Sequence, residues 1–251
     1  MKDLRFKKTL VSGFFRLLST FPKADRYIAH PEKYSDEECF ALAKKIMNYL
    51  RKYSKTTTDV YGAENLPSNG GYVMYANHQG RYDGVGILLS QEKPCSALWR
   101  RDKTRQLGVR QVSGLIRAKA VDTDKILETA RTIKEIAMEA GEGKRFLIFP
   151  EGYYDENHNE LQEFHDGCFR CSLLSHTPIV PVTVYDSYKA MNTNNLKKVN
   201  TQVHYLEPIY YDEYGQLTPT QLAALVKQRI QSRLDEISGG LFKKEKSFSL
   251  T

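Results

Sequence analysis

Three short apolar runs, separated by helix-patterned stretches, constrain this chain more than any other feature. Tyr72–Ala76, residues 145–149 and Ile179–Tyr185 have the length and continuity of strands buried on both faces. Between the first two lie a helix beginning at Gly84 and a longer amphipathic pattern. The longer pattern is carried by Ile126, Leu127, Ala130, Ile133, Ala137 and Ala140, and Gly141 and Gly143 end it. A helix falls within residues 161–175, and residues 199–206 read as a further strand. Thr218-Pro219 opens a final helix with the cap and first-turn proline in the preferred order. Val60 and Tyr61 mark a short strand earlier in the chain. The alternation predicts an α/β fold, a mixed and largely parallel central sheet flanked by helices.

The first 54 residues read differently. Residues 2–21 place Leu4, Leu10, Val11, Phe14, Phe15, Leu17, Leu18 and Phe21 at helical spacing. Lys2, Arg5, Lys8 and Arg16 fall mainly on the other side, and Pro22 is expected to stop the pattern. Such a basic amphipathic helix suits the plane of an anionic membrane, or an ordinary packed position on its own domain. Phe40, Ala43, Met47, Leu50 and Tyr53 mark a second helix over residues 36–53, capped by Ser35 or Asp36. The expected organisation is an N-terminal helical hairpin over residues 1–54 and a single α/β domain over 55–251.

A length of 251 residues with 41% hydrophobic content supports one sizeable core. No run of 18 apolar residues is present, so no ordinary transmembrane helix is expected. The N-terminus also lacks the pattern of a signal peptide. The formal charge of +7 points to anionic partners without choosing among them. Cys39, Cys95, Cys168 and Cys171 read as reduced thiols; Cys168 and Cys171 form a C-x-x-C with no second ligand pair, best read as two small buried side chains. His30, His158, His176 and His204 show no metal-ligand spacing, and Glu142-Gly143-Lys144 lacks the rest of a phosphate-binding loop.

Chemistry concentrates at two strand ends. After the strand at 72–76 comes Asn77-His78-Gln79-Gly80-Arg81-Tyr82-Asp83, and after the strand at 145–149 comes Pro150-Glu151-Gly152. Reactive groups collect beyond the strand ends of such sheets. A turn can let Asp83 hold one ring nitrogen of His78, leaving the other to take a proton from a substrate hydroxyl. The freed oxygen can then attack an activated acyl carbon without a protein nucleophile. The chain has no G-x-S-x-G elbow, which weighs against a serine hydrolase.

With these motifs the sequence resembles the glycerolipid acyltransferase family, the group containing 1-acylglycerol-3-phosphate acyltransferase. Asn77, His78 and Asp83 match its NHxxxxD block (the HX4D motif), and Phe149, Pro150, Glu151 and Gly152 match its FPEG block. Ile179-Val180-Pro181-Val182 matches its proline-containing strand, and Phe164 and Gly167 match a later Phe-x-x-Gly element. The resemblance spans roughly residues 55–210.

The resemblance implies a phospholipid-synthesising O-acyltransferase with His78 as general base and Asp83 as its orienting partner. It implies that Glu151 helps hold the acceptor, that Gly152 permits close backbone approach, and that Pro181 shapes the pocket or acyl channel. It implies an acyl thioester on coenzyme A or acyl carrier protein as co-substrate, a lysolipid as acceptor, and no metal, separate cofactor or nucleic acid. It further implies a peripheral position on the inner face of the cell membrane, with residues 2–21 as the membrane contact.

The departures bear on the acceptor. Gly80 stands where the family commonly has Ser, and Tyr153-Tyr154 stand where it commonly has Thr-Arg. Thr123 follows Asp122 at a position where Arg is often found. Arg110, Arg117 or Lys119 could supply the missing phosphate contacts from shifted positions. Otherwise the acceptor lacks a terminal phosphate, and Tyr153 and Tyr154 either meet a larger head group or are ordinary surface aromatics. Trp99-Arg100-Arg101-Asp102-Lys103 reads as a solvated helix end or a contact for carrier protein, coenzyme A or lipid. His165, between Phe164 and Gly167, reads as a bystander. A lipid-binding protein that has lost turnover is the reading from another class.

Overall fold

The computed structural model describes residues 4–104, 106, 108–122, 124–240 and 247–251. Thr123, Lys2 and the charged segment 241–246 lie outside the described residues. The chain opens with α1 (Leu4–Ala29) and α2 (Asp36–Tyr53), then β1 (Thr56–Tyr61) and β2 (Tyr72–Ala76). Next come α3 (Asp83–Ser90), β3 (Ser96–Arg100), α4 (Arg101–Thr104), α5 (Val109–Leu115), β4 (Lys119–Val121) and α6 (Ile126–Gly141). They are followed by β5 (Arg145–Ile148), α7 (Arg170–Ser175), β6 (Ile179–Tyr185), α8 (Tyr188–Met191) and β7 (Val199–Tyr205). The chain closes with α9 (Tyr211–Tyr214), α10 (Pro219–Ser238) and β8 (Ser247–Leu250).

The strands form one sheet in the order β4-β3-β5-β2-β6-β7-β1-β8. From β4 through β6 every neighbouring pair is parallel; β6 meets β7 and β1 meets β8 antiparallel. The fold is therefore the mixed, largely parallel α/β sheet that the alternation predicts. β2 lies at its centre, fully buried, so its carboxyl end delivers Asn77 and His78 between β5 and β6. Successive side chains of β2 serve opposite faces. Met74 and Ala76 join a core with α1, α2, α3 and α5, while Val73 and Tyr75 join a core with α6, α7 and α10.

Caps set several boundaries. Ser35 accepts from the Glu38 amide while the Glu38 carboxylate accepts from the Ser35 amide, and Thr218 and Gln221 repeat the arrangement before α10. Pro219 at the first turn needs no partner for the amide hydrogen it lacks.

α1 departs from expectation twice. It runs through Pro22 to Ala29 rather than stopping there. Pro22 is exposed, and a solvent-facing position tolerates the missing donor better than a packed one. The buried face is Arg5, Thr9, Gly13, Leu17, Thr20, Phe21 and Ala24, whereas Leu4, Leu10, Val11, Phe14, Phe15 and Leu18 are exposed. Small residues permit close contact: a Cβ on Gly13 would stand 2.9 Å from the Tyr53 ring. Arg5, expected on the polar outer side, is instead buried. Its guanidinium donates to the carbonyls of Ala190, Asn195 and Lys197, each at 2.7 Å, and also to that of Ser54. Four carbonyls compensate the cost of burying that charge and tie α1 to the end of α2, to α8 and to the segment between α8 and β7.

Of the segment Trp99–Lys103, which reads as a solvated helix end, Arg101–Lys103 lie on α4, while Trp99 and Arg100 close β3. β3 pairs with both β4 and β5, which override its charged end. Cys39, Cys95 and Cys171 are buried and Cys168 is half-buried, all as free thiols. Burial pushes the Cys171 thiol up to about 11, which keeps it an unreactive thiol.

Candidate active site

The site is assembled by the loop between β2 and α3 and by the turn after β5. Asn77 fixes the exit of β2. Its amide donates to the Val184 carbonyl at 3.0 Å and accepts from the Val184 amide at 2.7 Å. Gln79 extends this anchorage, donating to Val184 and Asn159 and accepting from the Ser187 amide. Both side chains are buried, so the paired bonds satisfy groups that would otherwise cost stability.

Asp83, the first residue of α3, is fully buried. One of its oxygens, Oδ2, lies 2.7 Å from His78 Nδ1 and also accepts from the backbone amides of Gln79 and Gly80. Its position at a helix N-terminus adds a favourable dipole. The imidazole is thereby held through Nδ1, with Nε2 as the remaining ring nitrogen. The His78 side chain keeps 17% of its surface accessible. The Phe149 ring stacks on it at 4.2 Å, and Tyr154 meets it edge-on at 4.7 Å.

Glu151 is placed differently from an acceptor-holding group. It is fully buried, with Oε1 accepting from the His78 backbone amide at 3.0 Å and Oε2 from the Gln162 side chain at 2.8 Å. Burial raises its carboxyl above the ordinary value, against the lowering effect of those donors. Gly152 has φ +72°, a left-handed turn, and a Cβ there would lie 3.1 Å from the His165 ring. His165 is thus packed beside the turn, and its amide donates to the Pro150 carbonyl. Gly80 leaves space that Asn192 fills: a Cβ at Gly80 would stand 2.5 Å from Asn192 Oδ1.

The structure brings together His78, Asp83, Glu151 and Gly152 and leaves other candidates apart. Of the two tyrosines, Tyr154 touches His78, while Tyr153 is 52% exposed. Pro181 is buried within β6, opposite Tyr75, at the break between the Ile179–Ile209 bridge and the pairing with β7 that starts at Val182. Arg117 pairs with Asp36 at 2.8 Å and lines a cleft of about 170 Å³ with Ser96 and Arg145, the first residues of β3 and β5. That cleft is at the amino ends of the parallel strands, whereas His78 follows the carboxyl end of β2. Lys119 is held by Glu135 and Glu139 of α6, on the sheet face opposite α3. Arg110 pairs with Asp25 of α1 at 2.9 Å. The sequence reading missed Gln79, Asn157, Asn159 and Gln162. Asn157 donates to the His78 carbonyl, and the loop that carries Asn157, Asn159 and Gln162 has no periodic signal.

Among the described residues no group of three or more His, Cys, Asp and Glu side chains is arranged to hold a metal ion. The arrangement can polarise a hydroxyl beside His78 Nε2, with Asp83 holding the ring in one orientation.

The Acyltransferase family model matches residues 57–185. The chain is similar to the 1-acyl-sn-glycerol-3-phosphate acyltransferase alpha of Homo sapiens, 24% identical over 201 residues, 78% of this chain and 69% of that protein. It is also similar to the 1-acyl-sn-glycerol-3-phosphate acyltransferase of Escherichia coli K12, 24% identical over 179 residues, 71% of this chain and 73% of that one. Its fold is that of the 1-acyl-sn-glycerophosphate (LPA) acyltransferase PlsC from Thermotoga maritima, with TM-score 0.69 at 16% identity, covering 95% of this chain and all of that one. A family model matched over half of the chain establishes that the protein belongs to the Acyltransferase family and, with these relatives, that it is an acyltransferase.

Proposed function

We propose that this enzyme transfers a fatty acyl group from an acyl thioester of coenzyme A or acyl carrier protein to the free hydroxyl of 1-acylglycerol-3-phosphate or a closely related lysolipid. The observation that carries the mechanism is the 2.7 Å contact between His78 Nδ1 and buried Asp83. Asp83 holds the tautomer in which Nε2 is basic. His78 Nε2 takes the hydroxyl proton as the oxygen attacks the thioester carbonyl. The tetrahedral intermediate expels the thiolate, which recovers the proton from the imidazolium, giving ester and free thiol. Glu151 acts through the backbone of His78, fixing the ring's position rather than touching the substrate.

The names of the relatives support the phosphate-bearing acceptor. A second reading, an acceptor without a terminal phosphate, is favoured by Tyr154 beside His78 and by the engagement of Arg117 and Lys119 elsewhere. Thiol release measured against a panel of lysophosphatidic acid, other lysophospholipids and monoacylglycerol separates them. Highest kcat/KM for lysophosphatidic acid supports the first reading; highest for an uncharged acceptor overturns it. Absence of turnover with every acceptor favours a binding protein.

The exposed apolar stripe of α1, flanked by Lys7, Lys8 and Arg16, is the proposed membrane contact. No helix among the described residues is long and apolar enough to cross a membrane. A peripheral position on the inner face of the cell membrane fits both, with the lysolipid reached from the bilayer surface. A Phe14→Ser, Phe15→Ser variant should sediment less with vesicles; undiminished binding moves the contact elsewhere.

A further inference from the structure

The first turn of α6 exposes two large apolar side chains that no neighbour covers. Ile126 is 79% and Leu127 78% exposed, as open to solvent as Phe15 on α1. Farther along the same helix, Ile133, Ile136, Ala137 and Ala140 face the core. Adjacent isoleucine and leucine at a helix start have no packing reason to face water, and their hydration is a standing cost.

A basic cluster adjoins them. Arg100 ends β3, Arg101 and Lys103 lie on α4, and Lys125 precedes α6, all exposed. α4 borders this turn directly, since Arg101 reaches Glu128 at 3.9 Å and the Ala120 carbonyl at 3.2 Å. The segments 100–105 and 122–131 together carry six basic residues against four acidic ones. The ion pairs within the cluster are exposed and so are weak and easily exchanged for other anions.

Position in the fold supplies the second argument. The turn follows the carboxyl end of β4, and α4 follows that of β3, so both lie at the end of the sheet that carries His78. α1 borders that end from the other side, with Phe6 under the Arg81 guanidinium of the His78 loop at 4.6 Å. The catalytic loop therefore lies between two surfaces of the same character, exposed apolar side chains with basic residues beside them.

We infer that Ile126 and Leu127, with Arg100, Arg101, Lys103 and Lys125, form a second membrane-docking surface that inserts into an anionic lipid monolayer. With α1 it gives two separated points of attachment, which fixes the orientation of the site opening toward the bilayer. The inference extends the membrane contact proposed for α1.

Sedimentation with phosphatidylcholine vesicles, with and without phosphatidylglycerol, tests it on the full chain. An Ile126→Ser, Leu127→Ser variant should bind anionic vesicles roughly tenfold or more weakly, from the transfer energy of two side chains. It should keep parental turnover on a short-chain acceptor below its micellar concentration. A Leu127→Trp reporter in a Trp99→Phe background should be quenched by brominated lipid. Unchanged partition and an unquenched reporter, with wild-type binding lost in the Phe14, Phe15 variant, overturn this surface while leaving the α1 contact standing. Failure of the wild-type protein to bind vesicles overturns both. Unchanged partition with turnover lost only for the acyl carrier protein donor reassigns the surface to that acidic carrier and overturns the membrane assignment.

Discussion

Glu151 grips the backbone of His78, not its ring. The 3.0 Å bond from the His78 amide to Glu151 Oε1 joins the two motifs across 73 residues of sequence, while Asp83 holds the ring itself. One carboxylate therefore positions the loop and the other orients the base.

Removing the Glu151 side chain should cost about 1–3 kcal/mol of stability, because Glu151→Ala strands the His78 amide without an acceptor and leaves the Gln162 side chain only the Tyr153 carbonyl. Glu151→Gln keeps an acceptor and should recover part of the loss in both stability and kcat. Equal behaviour of the two variants in urea unfolding would remove the positioning role.

Stability should also carry a pH signature of Glu151. Burial raises its folded-state carboxyl above the unfolded value. Its favourable contribution is then complete below the unfolded value and is lost as pH rises through the raised one. The stability difference, parent minus Glu151→Gln, should be greatest in acid and shrink across that window. Urea midpoints measured over a pH series check this; a flat difference contradicts it.

Asp83→Asn should lower kcat on the order of 10²-fold or more, since an amide in place of the carboxylate no longer selects the right tautomer of His78. KM should change far less. A loss confined to KM would assign Asp83 to binding.

Arg117→Ala and Lys119→Ala should leave turnover close to parental. Each removes only partly exposed ion pairs, worth ~0–1 kcal/mol. Tyr154→Ala should alter kcat/KM more than Tyr153→Ala, because only Tyr154 meets the His78 ring. A large defect in either cation variant would mean that the acceptor reaches beyond the site around His78.

The central architecture was legible because it rests on local signals. β2 and β6 are continuous apolar runs, α10 has its cap and proline, and α6 has a clean helical period. β3 and β4 were not, being five and three residues long with charged ends, and stable only by pairing. The burial of Arg5 on α1 has no signal in the sequence, because that side relies on Gly13, Thr9 and Thr20 and on an arginine satisfied by distant carbonyls. His78, Asp83, Glu151 and Gly152 were legible through spacing. The loop side chains that lock them, Gln79, Asn159 and Gln162, were not, since their partners lie up to 108 residues away.

Thiol release from an acyl thioester with lysophosphatidic acid, parent against His78→Ala, tests the central claim most directly. Loss of turnover on the order of 10²-fold or more, with the folded state intact, is the predicted result. A variant that turns over at the parental rate would contradict the account.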